Sequence, residues 1–294
     1  MARDLNPWQI SRMRVSSISS GFAAAFAYSL IAASSALAQG AAQPSPAPKP
    51  EVMESCPGLV AERPPFAPGI LRRAALATDQ VRLTFVGHAT FLIESPQLVR
   101  IATDYNDYVV PPVLPDIVTM NHAHMTHYTD HPDPGIKYVL RGWAGDEAPK
   151  PIDMSYKDVR VRNVFTNIRT FDGGTEKYGN SIFIFEVANL CIVHLGHLHH
   201  TLTQQQLNDI GRPDVVLVPV DGNYTLDLDG MIEVLHALKA PLMIPMHYFS
   251  AYTLDRFLGR VRQEWEVQLS EVPSVLVSKT SLPDKQKILV LPGH

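Results

Sequence analysis

Cysteine and charge are both scarce in this 294-residue chain. The two cysteines, Cys56 and Cys191, are too few to build a zinc site on thiolates. Charged residues make up 18% of the sequence and the formal net charge is −4, so there is no broad positive field to bind nucleic acid. Hydrophobic types make up 46%, an ordinary globular balance that excludes a collagen, an acidic tail and a wholly disordered chain.

The first 38 residues have the layout of a secretory signal peptide. Arg12 and Arg14 precede an apolar centre at residues 22–33, which is about 12 residues long against the roughly 20 that span a bilayer. A small-x-small cleavage signal, Ala-Leu-Ala, ends at Ala38. We therefore predict a signal peptide over 1–38, with an uncleaved membrane anchor as the alternative. The mature protein is expected to be periplasmic or secreted, with no stable membrane insertion.

Proline dominates the next segment, with eight prolines between residues 39 and 68. This composition predicts a disordered lead segment over 39–70, ahead of one domain over 71–294. An oxidising compartment would allow Cys56 in the lead segment to pair with Cys191. The alternative is a buried free Cys191 and an incidental Cys56.

Short apolar strands separated by turn residues begin near residue 80 and predict consecutive antiparallel pairings. Later segments alternate between helical spacing and buried apolar runs, which favours a layered α/β or α+β domain in one piece. The predicted strands cover 81–86, 90–94, 98–102, 116–120, 181–187, 189–194, 214–220 and 241–246, and the predicted helices cover 203–210, 228–238 and 254–268.

Histidine is abundant, and eight of the twelve histidines follow three predicted strands. Groups at three strand ends can converge on one edge of a sheet, and imidazole is the commonest metal ligand. A His-x-His pair on an extended segment points both rings to one side, as two ligands of one ion require. An ordinary packing role is the alternative for each. The groups are His122, His124 and His127; His194, His197, His199 and His200; and His247.

The other four histidines lie outside these groups. His88 follows Gly87 in a turn, where it is expected to orient a metal ligand or to be structural. His131 and His236 are expected at the surface, and His294 is the terminus.

Five motifs in a set order run through roughly residues 80–250. They are Val86-Gly87-His88-Ala89-Thr90-Phe91-Leu92-Ile93, Ile101-Ala102-Thr103-Asp104, Asn121-His122-Ala123-His124-Met125-Thr126-His127, Val193-His194-Leu195-Gly196-His197-Leu198, and the late strands 214–220 and 243–248. Together they resemble the metallo-β-lactamase-fold hydrolases of the ascorbate-6-phosphate lactonase-like branch. The resemblance implies an α+β fold, the four-layer αββα sandwich, and a metal-dependent hydrolase.

Three positions depart from the pattern of that family. Thr126 stands where its His-x-His-x-Asp-His motif has an aspartate, and Thr is a poor metal ligand. His197 occupies the position of the carboxylate that bridges two ions. Residues 132–193 contain no histidine, although the family has one between these motifs. The resemblance therefore implies one ion more readily than two.

The predicted metal ligands are drawn from the histidine groups. Zinc is the expected ion, with iron or manganese as alternatives. Asp104 and His88 are expected to hydrogen-bond to ligands and fix their orientation, and Asp221 is a further candidate for that role or for a substrate loop. The catalytic candidates are Asp104 and His127. The ligand set is His122, His124, His127, His197 and His247, with His194, His199 and His200 as possible additions.

The predicted function is an exported metal-dependent hydrolase acting on a small-molecule ester, lactone, amide or phosphodiester. A catalytically degenerate metal- or ligand-binding protein that retains the fold is the alternative, and an iron oxidoreductase is a third possibility. No nucleic acid is expected as a partner, and the sequence predicts no oligomeric state. Five aromatic residues near motif ends line a pocket or pack in the core: Tyr105, Tyr108, Trp143, Tyr224 and Tyr248.

Overall fold

Strand β1, Val81–Gly87, alternates between buried and half-buried side chains, the pattern of a strand with one dry face. The structure, a computed structural model, describes residues 75–143 and 149–293. The other strands there are β2 (Thr90–Glu94), β3 (Arg100–Ala102), β4 (Ile117–Met120), β5 (Tyr138–Arg141), β6 (Asp153–Tyr156), β7 (Val159–Arg169), β8 (Thr175–Val187), β9 (Leu190–His194), β10 (Val215–Pro219), β11 (Leu242–Met246), β12 (Glu266–Leu269), β13 (Ser274–Val277) and β14 (Lys287–Val290). The helices are α1 (Gln204–Ile210), α2 (Leu228–Leu238) and α3 (Ala251–Val261).

The strands form two mixed sheets. The six-stranded sheet has the order β13-β1-β2-β3-β4-β5, with antiparallel pairs up to β3 and parallel pairs from β3 to β5. The eight-stranded sheet has the order β12-β14-β11-β10-β9-β8-β7-β6, parallel from β12 to β9 and antiparallel from β9 to β6. The predicted antiparallel succession of β1, β2 and β3 is confirmed.

The main core lies between the sheets, where Phe85 and Phe91 of one sheet share a cluster with Phe183 and Phe185 of the other. The opposite face of the eight-stranded sheet is covered by α2 and α3. On the opposite face of the six-stranded sheet, in the described ranges, a smaller cluster joins Ala102, Val118 and Met120 of β3 and β4 to the loop residues Tyr105 and Ile136. These layers confirm the sandwich, and all described residues fall within one compact unit.

The carboxyl ends of the parallel strands β9, β10 and β11 lie on one edge of their sheet, as parallel pairing requires. His197, Asp221 and His247 follow these three ends. The other sheet is joined at this edge, because Ser181 N–H donates to the carbonyl of Asn121, just after β4, at 3.0 Å. The predicted convergence of histidine-bearing strand ends is thus built into the topology.

The predicted helix over 254–268 is wrong at both ends. Helix α3 starts earlier, because the Ser250 side chain caps it by accepting from Thr253 N–H. It ends at Val261, and Glu266–Leu269 instead pairs with β14 as an edge strand. The side chain of Trp265 is buried at the point where the chain leaves α3 and enters β12. The mixed charges of residues 254–268 do not indicate this break.

Several sequence predictions fall outside the described residues, namely the signal peptide, the lead segment, Cys56 and His294. Cys191 lies fully buried in β9 and is disulfide-bonded. No helix in residues 75–143 or 149–293 is long and apolar enough to cross a membrane.

One buried ion pair ties α1 to the eight-stranded sheet. Arg162 donates to the Glu186 carboxylate at 2.8 Å and to the carbonyl of Ile210, at the end of α1, also at 2.8 Å. The side chains of Arg162 and Glu186 are only 6% and 1% exposed, so neither charged group can reach water if its partner is lost. The pair therefore fixes the helix that precedes β10.

Replacing Arg162 with Met should lower the free energy of unfolding by about 1–3 kcal/mol, because the buried carbonyl of Ile210 loses its donor, while Glu186 keeps its second cation, Arg160, at 3.1 Å. Urea denaturation measures the change. The control is Arg260→Met, which removes an exposed pair with Asp229 and should cost no more than about 1 kcal/mol. Equal losses in both variants would contradict the role assigned to Arg162.

Candidate metal centre

Three imidazoles from three separate turns meet at the shared edge of the sheets. His88 follows β1, His127 lies in the loop after β4, and His247 follows β11. One ring nitrogen from each lies within 4.8 Å of the other two, and no second such group of His, Cys, Asp or Glu is present in the described ranges. We call these three residues the imidazole triad. His247 N–H also donates to the His88 carbonyl at 2.7 Å, which ties two of the turns together.

The backbone is left-handed at three positions of this centre. The φ angles are 50° at His88, 52° at Asp104 and 56° at His247. Residues other than glycine rarely adopt such angles, and the conformation persists only where surrounding contacts enforce it. The strain lies at the turns that aim these side chains inward.

A buried carboxylate holds each of two triad imidazoles. Asp104 Oδ2 lies 2.5 Å from His127 Nδ1, and Asp221 Oδ1 lies 3.0 Å from His247 Nδ1. An ionised carboxylate can only accept, so each Nδ1 donates its hydrogen. In a neutral ring the other nitrogen, Nε2, then carries a lone pair.

Burial sets the charges in this arrangement. It lowers the pKa of His127 well below its ordinary value, and the charges of His247 and His88 lower it further. It raises the pKa of Asp104 to about 6, which leaves the carboxylate ionised at neutral pH. Burial also opposes ionisation of Asp221, but hydrogen bonds and the charge of His247 outweigh it and hold the pKa of that carboxyl below its ordinary value.

The two lone pairs face each other, with His127 Nε2 and His247 Nε2 only 3.4 Å apart. Two acceptors at that distance repel unless a cation lies between them. A tetrahedral zinc ion with bonds of about 2.0–2.1 Å places its ligand atoms about 3.4 Å apart. The donor set therefore fits a divalent cation.

His88 completes this set. Its Nδ1 is buried without a hydrogen-bond partner in the described residues, as is Asp104 Oδ1. Burial, followed by the charge of His247, lowers the pKa of His88 to about 4, so the ring is neutral and able to bind a metal. The sequence placed His88 as a residue that orients a ligand, whereas the structure places it among the possible ligands.

The other predicted ligands surround the triad. The ring centre of His197 lies 4.5 Å from that of His127 and 5.0 Å from that of His247, and its Nδ1 has no hydrogen-bond partner within residues 75–143 and 149–293. The ring of His122 stacks on His197 at 5.4 Å, and its Nδ1 donates to a backbone carbonyl. His124 is exposed, with its ring parallel to that of His122 at 6.3 Å. Its Nδ1 lies 3.0 Å from the hydroxyl of Thr126.

Two of the possible additional ligands differ in how available they are. His199 uses Nδ1 to accept from the backbone N–H of Arg169 at 3.1 Å and packs on His197 at 4.9 Å, and its buried Nε2 has no hydrogen-bond partner among the described residues. His200 is exposed, with no ring contact to the triad recorded among described residues.

His194 is the third, and both of its ring nitrogens are already occupied. Its Nε2 lies 2.8 Å from the carbonyl of Ala89, and its Nδ1 lies 3.2 Å from Asn121 Nδ2 and accepts from Gly196 N–H at 3.1 Å. Each of these three partners is next to a histidine of the centre in the sequence, namely His88, His122 or His197. His194 therefore locks the turns together, a role that its position at a strand end did not reveal.

Two of the five predicted pocket aromatics are exposed, Tyr108 at 66% and Tyr224 at 57%. The others pack: Tyr105 is buried, Trp143 packs on Tyr128, and Tyr248 donates to a backbone carbonyl.

The family model of the β-lactamase superfamily domain matches residues 82–247. A UPF0173 metal-dependent hydrolase from Thermoplasma acidophilum is 26% identical over 192 residues, which cover 58% of this chain and 84% of the relative. Another from Methanoculleus marisnigri is 28% identical over 191 residues, covering 57% and 81%.

Solved structures show the same fold. A candidate Zn-dependent hydrolase of the metallo-β-lactamase superfamily from Thermotoga maritima is 28% identical with a TM-score of 0.54, covering 73% of this chain and all of that one, 100%. The metallo hydrolase Igni18 from Ignicoccus hospitalis has a TM-score of 0.51 at 20% identity, covering 68% and 99%, which supports the fold alone.

Replacing Asp104 or Asp221 with Asn should each weaken Zn²⁺ binding by about 10–100-fold, because the imidazole loses the partner that fixes its tautomer and direction. Calorimetric titration with Zn²⁺ measures the affinity. Asp116→Asn is the matched control, since Asp116 pairs with Lys137 and takes no part in the centre. Unchanged affinity in both variants would contradict the orienting role.

Replacing His194 with Phe keeps a planar aromatic ring but leaves its buried partners unpaired, and should lower the free energy of unfolding by about 1–3 kcal/mol. Zn²⁺ affinity should fall as well, because the turns carrying His88, His122 and His197 are no longer locked. His194→Gln, which can both donate and accept, should restore part of each. Full Zn²⁺ affinity in the Phe variant would show that the turns need no lock.

Proposed function

The chain belongs to the β-lactamase superfamily domain family and to the metal-dependent hydrolases of the metallo-β-lactamase superfamily, and from this we propose that its centre holds one zinc ion on His88, His127 and His247. The observation that carries the proposal is the pair of Nε2 lone pairs 3.4 Å apart, each fixed by a buried carboxylate. A metal cofactor agrees with the family, and three neutral imidazoles form a set that zinc accepts.

When bound, the ion supplies Lewis acidity, polarising a scissile carbonyl or phosphoryl group and lowering the pKa of water. The chain's own residues provide the rest. Asp104 and Asp221 hold the ligand rings in place and leave two of them no freedom to rotate. His122 and His197 line the triad with neutral rings. His197 has a ring nitrogen, Nδ1, without a hydrogen-bond partner in the described part of the chain, and this nitrogen can take part in binding or in moving a proton.

The reaction class follows from this chemistry. A single ion with neutral ligands suits hydrolysis of an ester, lactone, amide or phosphodiester of a small molecule. The signal-peptide layout of residues 1–38 supports export, so the periplasm or the extracellular medium is the proposed location.

Zinc content and hydrolysis, measured on the same preparations, test the proposal. Wild type should bind about one zinc ion and hydrolyse at least one member of a panel of ester, lactone and phosphodiester substrates. His127→Ala and His88→Ala should lose zinc and at least about 100-fold in kcat/KM. Chelation should abolish activity and lower the Tm, and added Zn²⁺ should restore both.

Three variants separate the triad from the other histidines. His124→Ala, which changes an exposed ring, should keep its zinc, and so should the control His131→Ala. Loss of zinc in His124→Ala but not in His88→Ala would contradict the triad as the ligand set and would favour a set that includes His122 and His124. Zinc binding without hydrolysis would favour a degenerate binding protein.

A further inference from the structure

Two exposed aromatic side chains stand against the triad. Phe249 is 58% exposed and Tyr224 is 57% exposed. The Phe249 ring centre lies 5.2 Å from His247 and 5.9 Å from His88, and Tyr224 meets Phe249 edge to face at 5.5 Å. We call Tyr224 and Phe249 the aromatic wall.

The wall is held in place by the same groups that build the centre. Asp221 Oδ2 accepts from the backbone N–H groups of Asn223, Tyr224 and Thr225 at 2.5–3.2 Å, so the turn bearing Tyr224 is wound around that carboxylate. Phe249 lies between His247 and the cap of α3. A ligand would therefore meet a prearranged apolar surface and lose little free energy in ordering it.

Exposed apolar side chains also occur beside His124. Tyr108 is 66% exposed and Met125 is 57% exposed, and the Tyr108 hydroxyl donates to the Met125 sulfur at 3.6 Å. Apolar patches next to a site of this kind usually mark the place where a ligand binds.

Fixed positive charge is sparse on this side. No hydrogen bond or ion pair recorded in the described ranges joins a lysine or arginine to the triad. Arg169 donates to the carbonyls of Asn223 and Thr225, at 3.4 and 3.5 Å. The wall itself is therefore apolar, and Arg169 is a cation beside the turn that carries Tyr224.

We propose that Tyr224 and Phe249 bind the apolar chain or ring of the substrate, so that the substrates are carboxylic esters or lactones with a hydrophobic substituent. This inference rests on the proposed hydrolytic function. In the reaction a water oxygen bonds to the acyl carbon and the bond from that carbon to the ester oxygen breaks. One water proton goes to the leaving oxygen, and the acid product releases the other.

Two lactones with the same reacting ring test the wall. γ-Butyrolactone has no side chain and γ-nonalactone carries an alkyl chain. Hydrolysis of both lactones is measured by the release of protons. Wild type should favour γ-nonalactone in kcat/KM on the order of tenfold, since apolar contact strengthens with each methylene covered. Phe249→Ala and Tyr224→Ala should each reduce that ratio severalfold, and Phe249→Leu should keep more of it than Phe249→Ala.

The control is Leu269→Ala, which truncates an exposed apolar side chain on β12 and should leave the ratio unchanged. Circular dichroism checks that each variant folds. A ratio that survives Phe249→Ala and Tyr224→Ala would overturn the wall. So would a wild type that cleaves bis(4-nitrophenyl) phosphate and neither lactone.

A binding measurement separates this inference from the hydrolytic function. Calorimetry compares hexanoate with acetate on zinc-loaded wild type and on Phe249→Ala. Hexanoate should bind more tightly than acetate to wild type, and the difference should shrink in the variant. If no substrate is hydrolysed but this difference is found, the hydrolytic function fails and the wall stands. Equal binding of the two acids overturns the wall.

Discussion

Two buried carboxylates determine what the centre can hold. Asp104 and Asp221 each take the Nδ1 hydrogen of an imidazole, which turns the remaining lone pairs of His127 and His247 toward each other. In a dry environment, unpaired acceptors so close together are costly unless a cation satisfies both. The left-handed turns direct these side chains inward, and the hydrogen bonds of His194 hold the turns in place. Because His88 and His127 belong to one sheet and His247 to the other, a bound ion would also join the two sheets.

The sequence predicts the layers well, because apolar periodicity and strand ends are local signals. The strands that precede the histidine groups lie where they are predicted, and their ends meet at one edge. The sequence does not indicate β7, although it opens with alternating Val and Arg, because Asn163 and Thr166 stand at buried positions and depend on hydrogen bonds to β8. The C-terminal helix was misjudged because edge pairing with β14 depends on residues far along the chain.

The centre could be predicted only in outline. Spacing indicates that histidines gather, but it carries no information about which nitrogen is free. His194 stands in one of the motifs and was a possible additional ligand, yet both of its nitrogens are used. His88 has a plain turn position, yet its backbone is left-handed, one of its ring nitrogens lies within 4.8 Å of those of His127 and His247, and its Nδ1 has no hydrogen-bond partner among the described residues. Tautomer and ring direction are set by hydrogen bonds across the fold, which a single sequence does not display.

The carboxylate of Asp221 has two hydrogen-bonding roles. One oxygen orients His247, and the other gathers the amides that carry Tyr224. A change in this loop that reshapes the outer surface therefore also disturbs the grip on the cation. A substitution of Phe249, which has no hydrogen bond to Asp221 among the described residues, would change the outer surface without disturbing that carboxylate.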